Sequence, residues 1–458
     1  MNFMRKYFLL FILLGSVVEG SGQDNKPLLK LSIADAQTFA LENNRTLKSA
    51  RIDVKSMDKQ IWANIATGLP QFNFEADYQH QFVIPELSFG PVLNINALPD
   101  GLITKNDLSN AYQNSAPFPL GVKNNTIFNF TVSQLIFSGE YLVGLQAAKV
   151  VKLVTEKSLV KSEDMTKETV ATTYYLILVL EENAKVLRES LKSTDQTYND
   201  LVKMNQEGFN EETDVDQMKI GRSNIQTLIT SIESQEEISM KLLKYQLGVG
   251  FDQTVLLTDS LPGIIKEGNI QYLSSPEFNV KNSIDYKMVS DQEKISSLML
   301  KRQQSKYLPS IAGFYRHQEQ SNLPAFNFAV KDIIGVTLSL PIVTSGLRNA
   351  NIGQAKFDLM KSRLNKDNIE QGLIMEFETA KSSYTTAFSN FTTNRESMTL
   401  SKKVYDKTVI KYKEGVSTSF ELTTNQAQYL TAESNYYNSI LSLLNAKAKL
   451  DRILSSSR

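Results

Sequence analysis

The sequence predicts a mainly helical, internally duplicated chain in which each half joins a pair of strands to a long helical hairpin. Three observations predict it. Two long stretches contain no proline, short motifs recur at a constant spacing, and strictly alternating polar and apolar runs lie beside each stretch.

The 12 prolines leave gaps between Pro119 and Pro262 and after Pro341. Proline breaks helix interiors at a cost of ~3 kcal/mol, so such gaps permit very long helices. Each gap is rich in Ala, Leu, Lys, Glu and Gln and is interrupted in its middle, at Gly208 and at Gly415, by a glycine that opens a mostly polar stretch. These are helix–helix turns, giving hairpins over 140–247 and 347–454. A first arm of about 65 residues would be ~100 Å long at 1.5 Å per residue. In the last arm Leu430, Tyr437, Leu441, Leu444 and Ala448 form a narrow apolar stripe of coiled-coil type.

Glu207-Gly208 recurs as Glu414-Gly415 and Ala148-Lys149 as Ala355-Lys356, both 207 positions on; Leu69-Pro70 recurs as Leu308-Pro309, 239 positions on. The difference places one insertion in the first half, and 82–123, with five prolines among scattered Asn and Gly, has the composition of an external loop. The repeats are then 23–247 and 281–458, joined by a linker over 248–280.

Strands are expected at about 70–80, 126–137, 309–318 and 331–341. Phe72, Phe74 and Tyr78 alternate with polar residues, as do Phe128, Phe130 and Val132, and Ile334, Val336 and Leu338. Ser310 to His317 alternates less cleanly. Two readings fit the period of two: a half-buried soluble sheet, or a membrane β-barrel with these nine residues toward lipid. About ten residues at 3.3 Å, tilted near 45°, cover ~23 Å of bilayer. Four strands do not close a barrel, so a barrel here is shared among subunits.

Composition excludes much else. Lys+Arg 49 against Asp+Glu 49 lacks the basic excess of a nucleic-acid binder. Without cysteine there is no disulfide, thiolate metal site, cysteine nucleophile or acylated N-terminal cysteine. His80 and His317 are the only histidines, both near strand ends and read as rim or interface side chains. With the methionines scattered, and no nucleophile–base pair or phosphate loop, we expect no catalysis, no metal and no cofactor. Arg5-Lys6, the apolar run Tyr7 to Leu14 and small residues beyond read as an export signal over 1–22. No other stretch approaches the ~20 apolar residues of a membrane helix.

Signal, duplicated strand pair and hairpin, and shared barrel together resemble the outer-membrane efflux protein family of TolC type. The resemblance rests on Ala40-Leu41-Glu42-Asn43-Asn44, Gly68-Leu69-Pro70, the corner Pro341 to Gly346 with its earlier copy Leu135 to Gly139, and above all Tyr412 to Leu422 followed by Gln426-Ala427-Gln428. It implies a homotrimer with twelve strands in the outer membrane and twelve helices in a periplasmic α-barrel. Its partners would be outer-membrane lipid, a periplasmic membrane-fusion adaptor and an inner-membrane transporter of RND or ABC type, serving efflux or type I secretion. Segments around Leu28 to Ile33 and Phe251 to Phe278 would form a mixed belt at the waist.

The resemblance also assigns roles. Asp214 and Glu421, equivalent in the two repeats, map onto the family's aperture acids, with Tyr412 and Ser417 in the network that holds the aperture shut. Gly208, Phe209, Gly415 and Val416 map onto the adaptor-contacting tips. Six carboxylates would surround the opening of a trimer; at ~8 Å in water each pair repels by about 0.5 kcal/mol, enough to favour cations. The same acids have a plainer reading as helix N-terminal residues opposing the helix dipole. The chain departs from the family in four places. Asn205 replaces an aromatic, Ser417 a longer hydrogen-bonding side chain, Thr424 a second acid, and Arg45 a proline. The alternative from another class is a soluble periplasmic coiled-coil adaptor or scaffold, although such a protein would carry one hairpin rather than two.

Overall fold

The computed structural model describes residues 28–87, 106, 118–266, 278–323, 327 and 329–455. The export signal over 1–22, most of the external loop (88–105 and 107–117) and 267–277 of the linker lie outside the described residues.

In chain order, the strands are β1 (Leu29–Leu31), β2 (Gln71–His80), β3 (Glu86–Leu87), β4 (Phe118–Pro119), β5 (Asn124–Ser138), β6 (Val255–Leu257), β7 (Ser310–Gln320) and β8 (Asp332–Ser339). The first hairpin has a long arm, Gly139–Gln206, and a short arm, Glu212–Leu247. The second has Leu347–Lys413 and Ser419–Ser455. Two further helices precede the strand pairs, Arg45–Ala66 and Ile284–Ser305. Neither is among the elements expected above, although Leu47, Val54, Met57, Ile61 and Ile65 stand at helical spacing in the first. The two helices are each 22 residues long and start 239 positions apart, the spacing that relates Leu69-Pro70 to Leu308-Pro309. Asn44 caps the first of them: its Oδ1 accepts from the Thr46 and Leu47 amides at 2.9 and 3.1 Å. Its Nδ2 donates to the Gln246 carbonyl, at the end of the first short arm.

The chain divides into two compact units, and the division runs across the repeats, so that each unit draws on both. One consists of the described parts of Met1–Ser49, Ser162–Phe278 and Glu376–Arg458. It holds β1 paired in parallel with β6 and most of both hairpins. Its main core includes Tyr174, Ile177, Leu243, Leu247, Tyr384, Tyr437, Ile440 and Leu443. The Tyr174 hydroxyl reaches both the Leu31 carbonyl and Asp259 Oδ2 at 3.0 Å, fastening the long arm to the strand pair. Arg452 ties the last helix to both long arms, through Glu168 at 2.5 Å and Glu376 at 2.8 Å.

The other unit, Ala50–Lys161 with Asn279–Met375, contains an antiparallel four-stranded sheet of order β2-β5-β7-β8. β2 and β8 are its edges. A bulge interrupts β5 against β7 between Leu135 and Phe137.

The seam of the second short arm differs from the expected stripe. Tyr437 and Leu444 are buried, but Leu430, Leu441 and Ala448 are only half-buried. The buried series toward the tip is Leu422, Gln426, Tyr429, Glu433, Tyr437, Ile440 and Leu444. Two of its members are polar, which an apolar stripe skips. No described helix is long and apolar enough to cross a membrane.

Candidate functional site: hairpin tips and sheet face

Both hairpins turn on a glycine in the left-handed region, Gly208 at φ 80° and Gly415 at φ 75°. The Gly208 amide bonds the Asn205 carbonyl and the Phe209 amide the Met204 carbonyl. Gly415 and Val416 repeat this with Tyr412 and Lys411. This double closure satisfies the last carbonyls of each long arm and requires a residue free to take positive φ. It leaves the next side chain in solvent: Phe209 is 74% exposed and Val416 73%. Asn205, where the second repeat has Tyr412, donates from Nδ2 to the Asn210 carbonyl at 2.9 Å and so braces its own turn.

Asp214 and Glu421 both occupy the first turn of a short arm. There a carboxylate gains roughly 0.3–1 kcal/mol from the helix dipole. Their partners differ. Glu421 is exposed and bonded locally, accepting from Ser417 Oγ at 2.7 Å while its amide donates to Thr418 Oγ1 at 3.1 Å. Asp214 is half-buried and accepts from Ser419 Oγ, which also lies 3.2 Å from Gln217 Oε1. Ser419 belongs to the other repeat and is 5% exposed, so this bond joins the two tips within one chain. Tyr412 packs against the cluster of Leu201, Met218, Tyr405, Leu422 and Tyr429. Burial first, and then the Asp214 charge, push its hydroxyl up to about 12. The tips therefore bring Asp214, Tyr412 and Ser419 together, while Ser417 and Glu421 form a separate local pair. Ser419 is absent from the sequence-derived set because only its contact with the distant Asp214 distinguishes it.

In the sheet, Phe72, Phe74 and Tyr78 lie opposite Val132, Phe130 and Thr126, with Phe128 opposite Ala76. On the same face, Val132 meets Tyr315 and Phe130 meets His317. Tyr315 pairs in turn with Ile334, Gly313 with Val336 and Ile311 with Leu338. All nine apolar residues expected on one face thus share it. Phe72, Ile334 and Val336 are 78%, 85% and 69% exposed in the single chain. The opposite face carries Asn73, Glu75, Asp77, Asn129, Thr131, Arg316 and Thr337.

The apolar band crosses the sheet on a slant. Its last residues toward the loops are Tyr78, Phe128, Tyr315 and Ile334 on the four successive strands, a slip of about six residues in register. That is ~20 Å along the strands over ~14 Å across them, a slant of roughly 55°. Beyond the band is a polar row. Asn124 Oδ1 contacts His80 Nδ1 at 2.6 Å, His317 Nδ1 contacts Asp332 at 2.8 Å, and Lys331 reaches Glu319 at 3.0 Å.

The profile of the family described as outer membrane efflux protein matches residues 301–456. "Toxin and drug export protein A" of Aggregatibacter actinomycetemcomitans is 24% identical over 301 residues, which span 64% of this chain and 63% of that protein, just under two thirds of its length. Among solved structures, that of CusC, described in terms of folding and transmembrane channel formation, superposes with a TM-score of 0.74 at 14% identity, covering 96% of this chain and 95% of that one. The Campylobacter jejuni CmeC outer membrane channel does so with a TM-score of 0.71 at 16% identity, covering 93% and 86%.

Proposed function

We propose that the chain is a member of the outer membrane efflux protein family, whose profile matches residues 301–456, and that it is the passive exit duct of a tripartite efflux or type I secretion system. It resides in the outer membrane and extends into the periplasm. The duct is a homotrimer in which three four-stranded sheets close a twelve-stranded barrel that continues into a twelve-helix periplasmic tunnel.

The slanted apolar band carries this reading. A sheet packed on a soluble core has no need of a diagonal boundary. Strands of a closed barrel tilt by ~35–45°, so a band that lies level in the bilayer crosses them obliquely. Among the described residues the outer edges of β2 and β8 are unpaired, which supports subunit closure, since long unpaired edges in a stable protein call for partners. On this reading Phe72, Phe74, Tyr78, Phe128, Phe130, Val132, Ile334, Val336 and Leu338 face lipid, and the polar row lies at the outer interface. The slant also weighs against a soluble adaptor.

At the hairpin tips, Phe209 and Val416 offer exposed apolar contacts to a periplasmic adaptor, beside Gly208 and Gly415, with an RND or ABC transporter beyond. Asp214 and Glu421 line the aperture, Asp214 held by Ser419 and neighbouring Tyr412, Glu421 held by Ser417. The name of the export relative supports toxins and drugs as the class of cargo. Purified protein should form a heat-sensitive trimer and conduct in planar bilayers with cation preference. Asp214→Asn combined with Glu421→Gln should reduce that preference severalfold. Unchanged selectivity sinks the aperture assignment; the absence of any conductance sinks the duct.

A further inference from the structure

Glu433, in the middle of the second short arm, is an acid placed where a charge is poorly supported. It is 3% exposed. Its Oε1 accepts from the Tyr429 hydroxyl at 3.0 Å, whereas Oε2 is buried with no hydrogen-bond partner. Tyr429 in turn stacks on Tyr405 of the long arm, ring centroids 5.7 Å apart, and Lys402 Nζ lies 5.5 Å over its ring. An ionised carboxylate uses both oxygens as acceptors, and leaving one unmet in a dry seam is costly. A protonated acid has less to satisfy.

The surrounding charges do not rescue the anion. From the second long arm come Lys402 and Asp406, 3.5 Å apart and paired with each other. From the first long arm, Glu182 and Glu189 act on the neighbouring Tyr437, as Glu433 itself does. Tyr429, Tyr436 and Tyr437 complete the surroundings on its own helix. Burial raises the Glu433 carboxyl above the usual carboxylate range, with the Tyr429 bond and Lys402 only partly opposing.

We propose that Glu433 is a proton-linked brake on the second hairpin, neutral while the arms are packed and ionised when they part and water reaches it. The sign follows from linkage. The packed state holds its proton to higher pH than the parted state, so packing is fully supported below the ordinary carboxylate value of ~4.3. That support is lost as pH rises toward the raised packed value. Falling pH tightens the hairpin; rising pH loosens it.

The proposal takes the chain as a channel only for its consequence, and its test does not depend on transport. Hydrogen exchange across 402–437 is measured on the assembled full-length protein in detergent over a pH series and corrected for intrinsic exchange. Opening should increase with pH, approaching tenfold per unit within the window. Glu433→Gln, neutral at every pH, should abolish that dependence and keep the hairpin in its acid-like state. Tyr429→Phe removes the one donor to the carboxylate and should move the midpoint to higher pH. A Glu433→Gln protein that follows the wild-type curve, or a Tyr429→Phe midpoint that stays in place, overturns the proposal. A protein that conducts no ions but shows these shifts overturns only the duct reading.

Discussion

In the first hairpin, Met218, Ile225 and Ile229 of the short arm are buried, the last two packed with Leu187 of the long arm. The residues 207 positions later are Asn425, Ala432 and Tyr436, all half-buried. The second short arm instead buries Leu422, Gln426, Tyr429 and Glu433. Its seam contains hydrogen bonds: Gln426 to Thr194 at 2.6 Å and to Tyr405 at 3.2 Å, Asn425 to Thr408 at 2.9 Å, and Tyr429 to Glu433. Duplication preserved length and turn while the buried face rotated. An aliphatic seam is indifferent to geometry within a fraction of an ångström. A buried polar seam is satisfied in one arrangement only and loses its advantage once water enters. On the proposal above, the second hairpin is the copy that moves.

Truncating the aliphatic seam should have the largest effect. Ile225→Ala removes a fully buried side chain and should cost about 2–5 kcal/mol of stability. Ala432→Gly, at the equivalent half-buried position, should cost only about 0.5–1 kcal/mol. Denaturant midpoints of the purified assembly test the pair; equal losses would mean that the two seams are equivalent after all.

The two acids at the tips give the next contrast. Ser419→Ala leaves half-buried Asp214 without its donor, at a cost of about 1–3 kcal/mol. Because that bond joins the repeats, single-channel conductance should rise. Ser417→Ala removes an exposed local bond and should alter conductance little. If Ser417→Ala opens the channel more than Ser419→Ala does, the assignment of Ser419 as the connecting residue is wrong.

What was legible beforehand follows the range of each interaction. Turns at Gly208 and Gly415 are local backbone events, and proline gaps mark helices whatever surrounds them. The apolar face of the sheet was visible because a strand's period of two survives any partner. Helices Arg45–Ala66 and Ile284–Ser305 were legible too, through the helical spacing of Leu47, Val54, Met57, Ile61 and Ile65 and the constant offset between the two, although few of their residues are buried. The buried face of the second short arm was hidden because Gln426 and Glu433 look like solvated residues until Thr194 and Tyr429 are placed beside them. Ser419 and Asp214, 205 positions apart, meet only in the folded chain.

The smallest predicted effect separates the hairpins by salt. Across the flank of the first, Arg188 donates to Glu233 Oε1 through both Nε and an amino group, at 3.2 and 2.7 Å, and Arg222 donates to Asp195. Toward the second tip, the ion pair among the described residues is Lys402 with Asp406 on a single arm. Exposed pairs contribute about 0.2–1 kcal/mol each and weaken when salt shortens the screening length. Raising salt from about 0.05 to 0.5 M should therefore loosen exchange protection around Leu187 and Ile229 by a small factor while leaving Tyr405 and Tyr429 unchanged. Arg188→Met should reproduce the loss at low salt and abolish further salt dependence at that pair. Equal sensitivity of both seams would place the ionic contribution outside the flank pairs and remove this distinction between the copies.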